Sequence, residues 1–149
     1  MWQIGVWEQN EGLAERVSEM AGTSALVRAC SHPALLTGLN LDLLIVSPGA
    51  TGWAGAASLT CRIALLPGGL STLTRALPAD MVVSYGAASR NTLTLSGLNG
   101  EKAAVAVQRE FLTLDGKPVE RQELVLPWGT LPPDLLLVQV GAALLLGRI

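Results

Sequence analysis

Two short groups of residues have the types and spacing that binding chemistry needs. The first is Gly68, Gly69, Ser71 and Thr72 in LLPGGLSTLT, where an apolar strand ends and two glycines turn the chain. Ser71 or Thr72 can cap a short helix running toward Leu77, and the free N–H groups and dipole of such a helix start favour an anion. The second is Ser84, Tyr85, Gly86 and Arg90 in VVSYGAASRNTLTLSG. In a parallel sheet Ser84, Tyr85 and Gly86 fall at the carboxyl end of a central strand, where open α/β folds bind ligands. Arg90 and Asn91 would then present a cation and an amide to the same crevice. The competing reading is structural: Tyr85 closes the core, Gly86 takes a positive φ and Arg90 is solvated. A ligand suited to these residues is a small anion, such as a nucleotide or a phosphorylated metabolite.

Other chemistry finds less support. SPGATGWAGAAS, Ser47 to Ser58, spaces Gly49, Gly52 and Gly55 evenly after an apolar strand, but it matches neither GxxxxGK[ST] nor GxGxxG. The chain's one Gly-Lys pair, Gly116-Lys117, precedes a proline in a turn, so an ATPase or kinase would lack its phosphate-neutralising lysine. A packed crossover anchored by Trp53 is the plainer reading of that loop. Cys30, Ser31 and His32 form a small cluster, yet His32 is the single histidine and Cys61 the one other thiol, short of the three or four ligands that zinc requires. Pro33 makes His32 a surface residue at a loop start. A triad of His32 with Asp42 or Asp80 and Ser84 has no GxSxG elbow behind it. No catalytic residue, metal ligand or cofactor is assigned, and a non-catalytic role is preferred to an enzymatic one.

Composition bounds the rest. A chain of 149 residues is long enough for one well-buried domain. Half of its residues are hydrophobic, only 15% are charged, and the mean hydropathy is +0.43, so some apolar surface is expected to stay exposed. With a net charge of -2 it has no field to attract phosphate backbones, which argues against general nucleic-acid binding. Two distant cysteines and an acidic N-terminal segment, MWQIGVWEQNEG, point to the reducing cytoplasm and to no export signal. As a helix the apolar run Leu135 to Leu146 would rise about 18 Å, too little for a hydrocarbon core of about 30 Å. A buried terminal helix is expected there rather than a transmembrane span.

These pieces assemble into an α/β domain: a parallel, Rossmann-like, doubly wound sheet over residues 1–86, antiparallel hairpins over 87–130 and an apolar terminal helix over 131–149. Strands are expected at Trp2–Trp7, Ser24–Ala29, Leu41–Ser47, Cys61–Leu66 and Met81–Tyr85, the later ones apolar along their length as in strands covered on both faces. Asn10 is expected to cap a helix carrying Leu13, Val17 and Met20 on one face, which Gly22 ends. Thr92 to Ser96 alternates polar and apolar, Asn99-Gly100 turns the chain, and a return strand runs from Lys102 to Leu114. A second turn at Asp115-Gly116 leads to an exposed or edge strand, Val119 to Leu126. Arg109–Glu123 and Arg121–Glu110 are then candidate cross-strand ion pairs, and the polar group from Gln108 to Glu110 and Glu120 to Glu123 a candidate recognition surface.

VVSYG, NTLTLSG, QREFLTLDGKPVERQE and LLLVQVGAALLLG resemble a group of small bacterial proteins of unassigned activity, mostly from spore-forming Firmicutes. More faintly, a strand ending in Tyr-Gly, antiparallel hairpins and an apolar helix look like the end of the central domain of Mur-type peptide ligases, over roughly Asp80 to Gly147. That resemblance implies the fold without the ligase's ATP-binding loop, hence without ligase activity. The preferred function is a binding or assembly module, as a homo-oligomer or with a protein partner. The alternative is a small enzyme or sensor taking a nucleotide or phosphorylated metabolite at the carboxyl ends of the parallel strands.

Overall fold

A computed structural model describes residues 1–51, 59–70 and 77–149. Ser71 and Thr72, the helix expected to run toward Leu77, and residues 52–58 of the glycine-spaced loop with Trp53 lie outside the described residues. The strands are β1 (Trp2–Trp7), β2 (Ala25–Cys30), β3 (Asn40–Val46), β4 (Thr60–Pro67), β5 (Ala79–Tyr85), β6 (Leu93–Asn99), β7 (Lys102–Val107), β8 (Phe111–Leu112), β9 (Pro118–Val119) and β10 (Gln122–Pro127). Two α-helices are described, α1 (Leu13–Ala21) and α2 (Pro133–Leu145). Eight strands form one mixed, mostly parallel sheet in the order β10-β7-β6-β5-β4-β3-β1-β2, and β8 and β9 pair as a separate antiparallel hairpin.

Continuous apolar sequence in β3 and β4 reflects cover on both faces. Leu43, Ile45, Ile63 and Leu65 join one core with Leu13 and Val17 of α1 and the apolar residues of α2. Leu44, Val46, Ala64 and Leu66 join a second core with Trp7, Leu36, Leu59 and Leu77. Helix α2 is buried from Leu136 to Leu145 except at Gln139, because the sheet, α1 and the hairpin residues Phe111, Leu114 and Val119 all contribute to the core that holds it. Its far end is tied down as well. Leu114 N donates to Leu145 O, and Arg148 reaches back to the Met20 and Ala21 carbonyls at the end of α1. Among the described residues no helix is long and apolar enough to cross a membrane.

The sheet changes direction between β5 and β6. These strands are parallel yet share a single register pair, Tyr85 with Leu93, after which β6 continues beyond β5 and turns into the antiparallel β7.

Four expectations need correction. The return strand is not continuous from Lys102 to Leu114: it stops at Val107, Gln108 N bonds to Thr92 O, and the chain leaves the sheet so that Phe111, Leu114 and Val119 can enter the core. The edge strand β10 therefore pairs with β7, Gln122 opposite Val107, and not across the Asp115-Gly116 turn. The ion pairs proposed on that register, Arg109–Glu123 and Arg121–Glu110, do not form; the described ion pairs are Arg62–Asp42 and Lys117–Asp115. Nor does Asn10 cap α1. The N-cap is Gly12, without a side-chain cap bond of its own, and the carboxylate of Glu8 bonds the first N–H groups instead.

Gly141 sets how closely α2 approaches the sheet. A Cβ there would lie 2.9 Å from Leu65 Cδ1 and 3.0 Å from Leu93 Cδ1. Gly141→Val gains a little helix propensity but overpacks this contact, and is expected to cost about 2 kcal/mol or more in urea unfolding. An unchanged midpoint would contradict the close packing.

Candidate functional site

The order β5-β4-β3-β1-β2 reverses at β1, whose neighbours are β2 and β3. In open parallel sheets the crevice outside the carboxyl ends at such a reversal is the usual ligand site. Here the chain's own side chains occupy much of it. Glu8 follows β1 and is only 7% exposed. Its Oε1 accepts from Glu11 N at 2.8 Å and Leu13 N at 3.1 Å, and its Oε2 from Ala14 N at 2.7 Å. The start of α1, which would otherwise attract an external anion, is thus satisfied by an internal one.

The loops after β1, β2 and β3 are tied to each other. Glu11 Oε1 accepts from Gln9 N and from Ser47 Oγ, and Gly49 makes room, since a Cβ on it would lie 2.9 Å from that oxygen. Gln9 Nε2 donates to Ser31 O at 2.8 Å and to Thr51 Oγ1 at 2.9 Å, while Trp7 Nε1 donates to Thr51 O at 2.7 Å. Two open grooves are lined by the described residues here. One of about 770 Å³ is lined by Glu8, Glu11 and Glu15, with Cys30 and Ser31 across it. The other, of about 460 Å³, lies between Glu11, Pro48 and the Pro133-Asp134 start of α2. Both carry carboxylates, and neither has a lysine or arginine among its described lining, so their field opposes a phosphate group. Sequence reasoning passed over these residues. The signal was WEQNEG, which puts two glutamates around the first turn of a helix that directly follows a strand.

Gly68, Ser84, Tyr85 and Gly86 lie one side over, at the ends of β4 and β5. The register sets Leu66 beside Ser84 and Pro67 beside Tyr85, which brings Gly68, Ser84, Tyr85 and Gly86 together. Their polar groups are engaged within the protein. Ser84 Oγ accepts from Thr92 N at 3.1 Å, and Gly68 N donates to Tyr85 O at 2.8 Å. Tyr85 is buried, and its hydroxyl donates to Val46 O at 2.6 Å. Burial, reinforced by Asp134 and Glu11, pushes its phenol far above the ordinary range. Asn91 is buried between the two glycines. Its carboxamide fills the place a Cβ on Gly68 would take, and its Nδ2 would lie 2.8 Å from a Cβ on Gly86, whose φ is +151°. Gln108 Nε2 closes the same loop with bonds to Ser89 O and Asn91 O. Gly69 and Arg90 are exposed, and Arg90 forms no ion pair among the described residues.

His32 is exposed, its Nδ1 accepting from Ala34 N. Cys30 and Cys61 are free and buried, and burial is the main cause that pushes their thiols up to about 11 and about 12. Such thiols stay protonated and make poor nucleophiles. Among the described residues no three His, Cys, Asp or Glu side chains converge as a metal site. No protein-family model matches the sequence, and no curated protein matches it.

Replacing Tyr85 by Phe leaves the buried Val46 carbonyl without its donor and is expected to cost about 1–2 kcal/mol at neutral pH. The folded state keeps the phenol protonated where an unfolded tyrosine ionises, near pH 10. Its stabilising contribution is therefore full below about pH 10 and falls as pH rises further. Urea unfolding between neutral and alkaline pH should show a shallower alkaline decline in Tyr85→Phe than in the wild type. Equal slopes, or ordinary ionisation of this single tyrosine in the folded chain, would contradict the buried hydrogen bond.

Proposed function

We propose that the chain is a non-catalytic assembly module. It is built on a Rossmann-like, doubly wound sheet related in fold to the end of the Mur-type ligase central domain. It acts in the reducing cytoplasm, as a homo-oligomer or with a protein partner. The observation that carries this reading is the contrast between the carboxyl end of the sheet and its edges. Among the described residues at the carboxyl end, the positions that could draw an anion are taken by Glu8, Glu11, Tyr85 and Asn91. At the two edges large apolar side chains face solvent: Leu26 on β2 is 41% exposed and Val125 on β10 is 61% exposed. Exposed edge strands with apolar residues are sites where another chain adds on.

The exposed Arg90, next in sequence to the Asn91 wedge, is the feature that favours a second reading, a sensor or small enzyme for a phosphorylated metabolite. Sedimentation velocity over a wide concentration range, paired with a thermal-shift panel of nucleotides and sugar phosphates, separates the two. The assembly reading expects mass to rise with concentration and no ligand to shift the melt. A monomer at every concentration, together with a ligand shift lost in Arg90→Ala, would replace it with the second reading.

A further inference from the structure

The outer edge of β10 has a polarity that can be read from its pairing. Trp128 N donates to Glu101 O, in step with the register that sets Pro127 beside Lys102 and Val125 beside Ala104. Backbone groups of an antiparallel strand point alternately to either side, so Leu124 and Leu126 bond inward to β7. Glu123, Val125 and Pro127 therefore direct their backbone groups outward. The same three side chains lie on the sheet face away from α2, since Leu124 and Leu126 pack against the core on the helix side. Across that face Val125 continues into Ala104 and Gly97, and Pro127 into Lys102.

We infer that two copies of the chain join antiparallel through β10, with Val125 of one opposite Val125 of the other. This inference rests on the assembly reading and specifies its interface. Neighbouring registers are worse. One sets Glu123 against Glu123, a like-charge pair, and another sets each Glu123 against the apolar Val125. In the Val125-centred register each Val125 N–H meets the partner's Val125 carbonyl, and each Glu123 N–H meets the partner's Pro127 carbonyl. Proline has no N–H to donate, so it shortens the run of bonds and limits further registers. The charges complement as well. Lys102 sits beside Pro127, so it is two strand spacings, about 10 Å, from the partner's Glu123 at the backbone. Extended lysine and glutamate side chains close that gap over the small proline ring. An unbroken apolar strip, Ala104 and Val125 of each copy, then runs across the joint.

Cysteine cross-linking tests this directly. Directly opposed, hydrogen-bonded residues stand about 5.5 Å apart at Cα, within disulfide range, and the native thiols are buried. Val125→Cys is expected to give a covalent dimer on mild oxidation at least about tenfold faster than Glu123→Cys or Leu124→Cys. In sedimentation, Val125→Glu should weaken association at least about tenfold, the scale of about 1.4 kcal/mol. Lys102→Glu should weaken it too, and adding Glu123→Lys to Lys102→Glu should restore it. Val125 is exposed, so a melting temperature equal to that of the wild type at concentrations where both are monomeric confirms that these variants fold. If wild-type chains associate but Val125→Glu has no effect and Val125→Cys does not outpace its controls, this interface is wrong and the assembly reading survives. If the wild type never associates, this interface falls and the homo-oligomer form of the assembly reading falls with it. Fastest cross-linking at Leu124→Cys would overturn the register.

Discussion

The fold depends on one buried carboxamide. Asn91 sits where side chains on Gly68 and Gly86 would otherwise be, at the point where β4, β5 and β6 end or begin. Around it Gly68 N bonds to Tyr85 O, Gly86 N to Leu93 O, and Gln108 reaches the Asn91 carbonyl. A parallel pair of strands normally needs a long crossover between them. Here only residues 86–92 connect β5 to β6, and the two strands meet at a single register pair. The Asn91 wedge and the bonds around it hold that short connection in place. They let a parallel sheet continue into an antiparallel one without a covering helix between.

The same solution explains the state of the carboxyl edge. A free helix start and glycine turns attract anions because their N–H groups are unpaired. In this chain Glu8 pairs those of α1 from within, Glu11 bridges Ser47 and Gln9, and the Tyr85 hydroxyl takes the Val46 carbonyl. A buried carboxylate bonded to several backbone groups is costly to displace, since a ligand would have to desolvate and expel a charge of its own sign. Among the described residues, the backbone groups left open include the outward ones of the edge strand β10.

Much of the framework is legible in the residues, and the losses have identifiable causes. The uninterrupted apolar runs of β3 and β4 announce strands covered on both faces, and the charged VERQELVL segment announces an edge, which holds only from Gln122, where β10 begins, since Val119 belongs to β9. Gly86 is read as a residue that takes a positive φ, and its φ is +151°. The break after Val107 is invisible locally, because QREFLTL alternates well enough to pass for strand. Only the apolar demand of the distant α2 draws Phe111 and Leu114 away. Asn10 looks like a cap by type, but Glu8 outcompetes it by carrying two charged acceptor oxygens to the same N–H groups. The Asn91 wedge is hardest to foresee, since it depends on two glycines eighteen residues apart meeting one side chain.

A double-mutant cycle on Gly68→Ala and Asn91→Ala tests that wedge most directly. With Asn91 present, the added methyl must displace a buried carboxamide, and Gly68→Ala should cost about 3 kcal/mol in urea unfolding. With Asn91 already reduced to alanine, the same change should cost under about 1 kcal/mol, giving a coupling of roughly 2 kcal/mol. Additive costs, with no coupling between the two positions, would contradict the account that this carboxamide fills the joint on which the sheet turns.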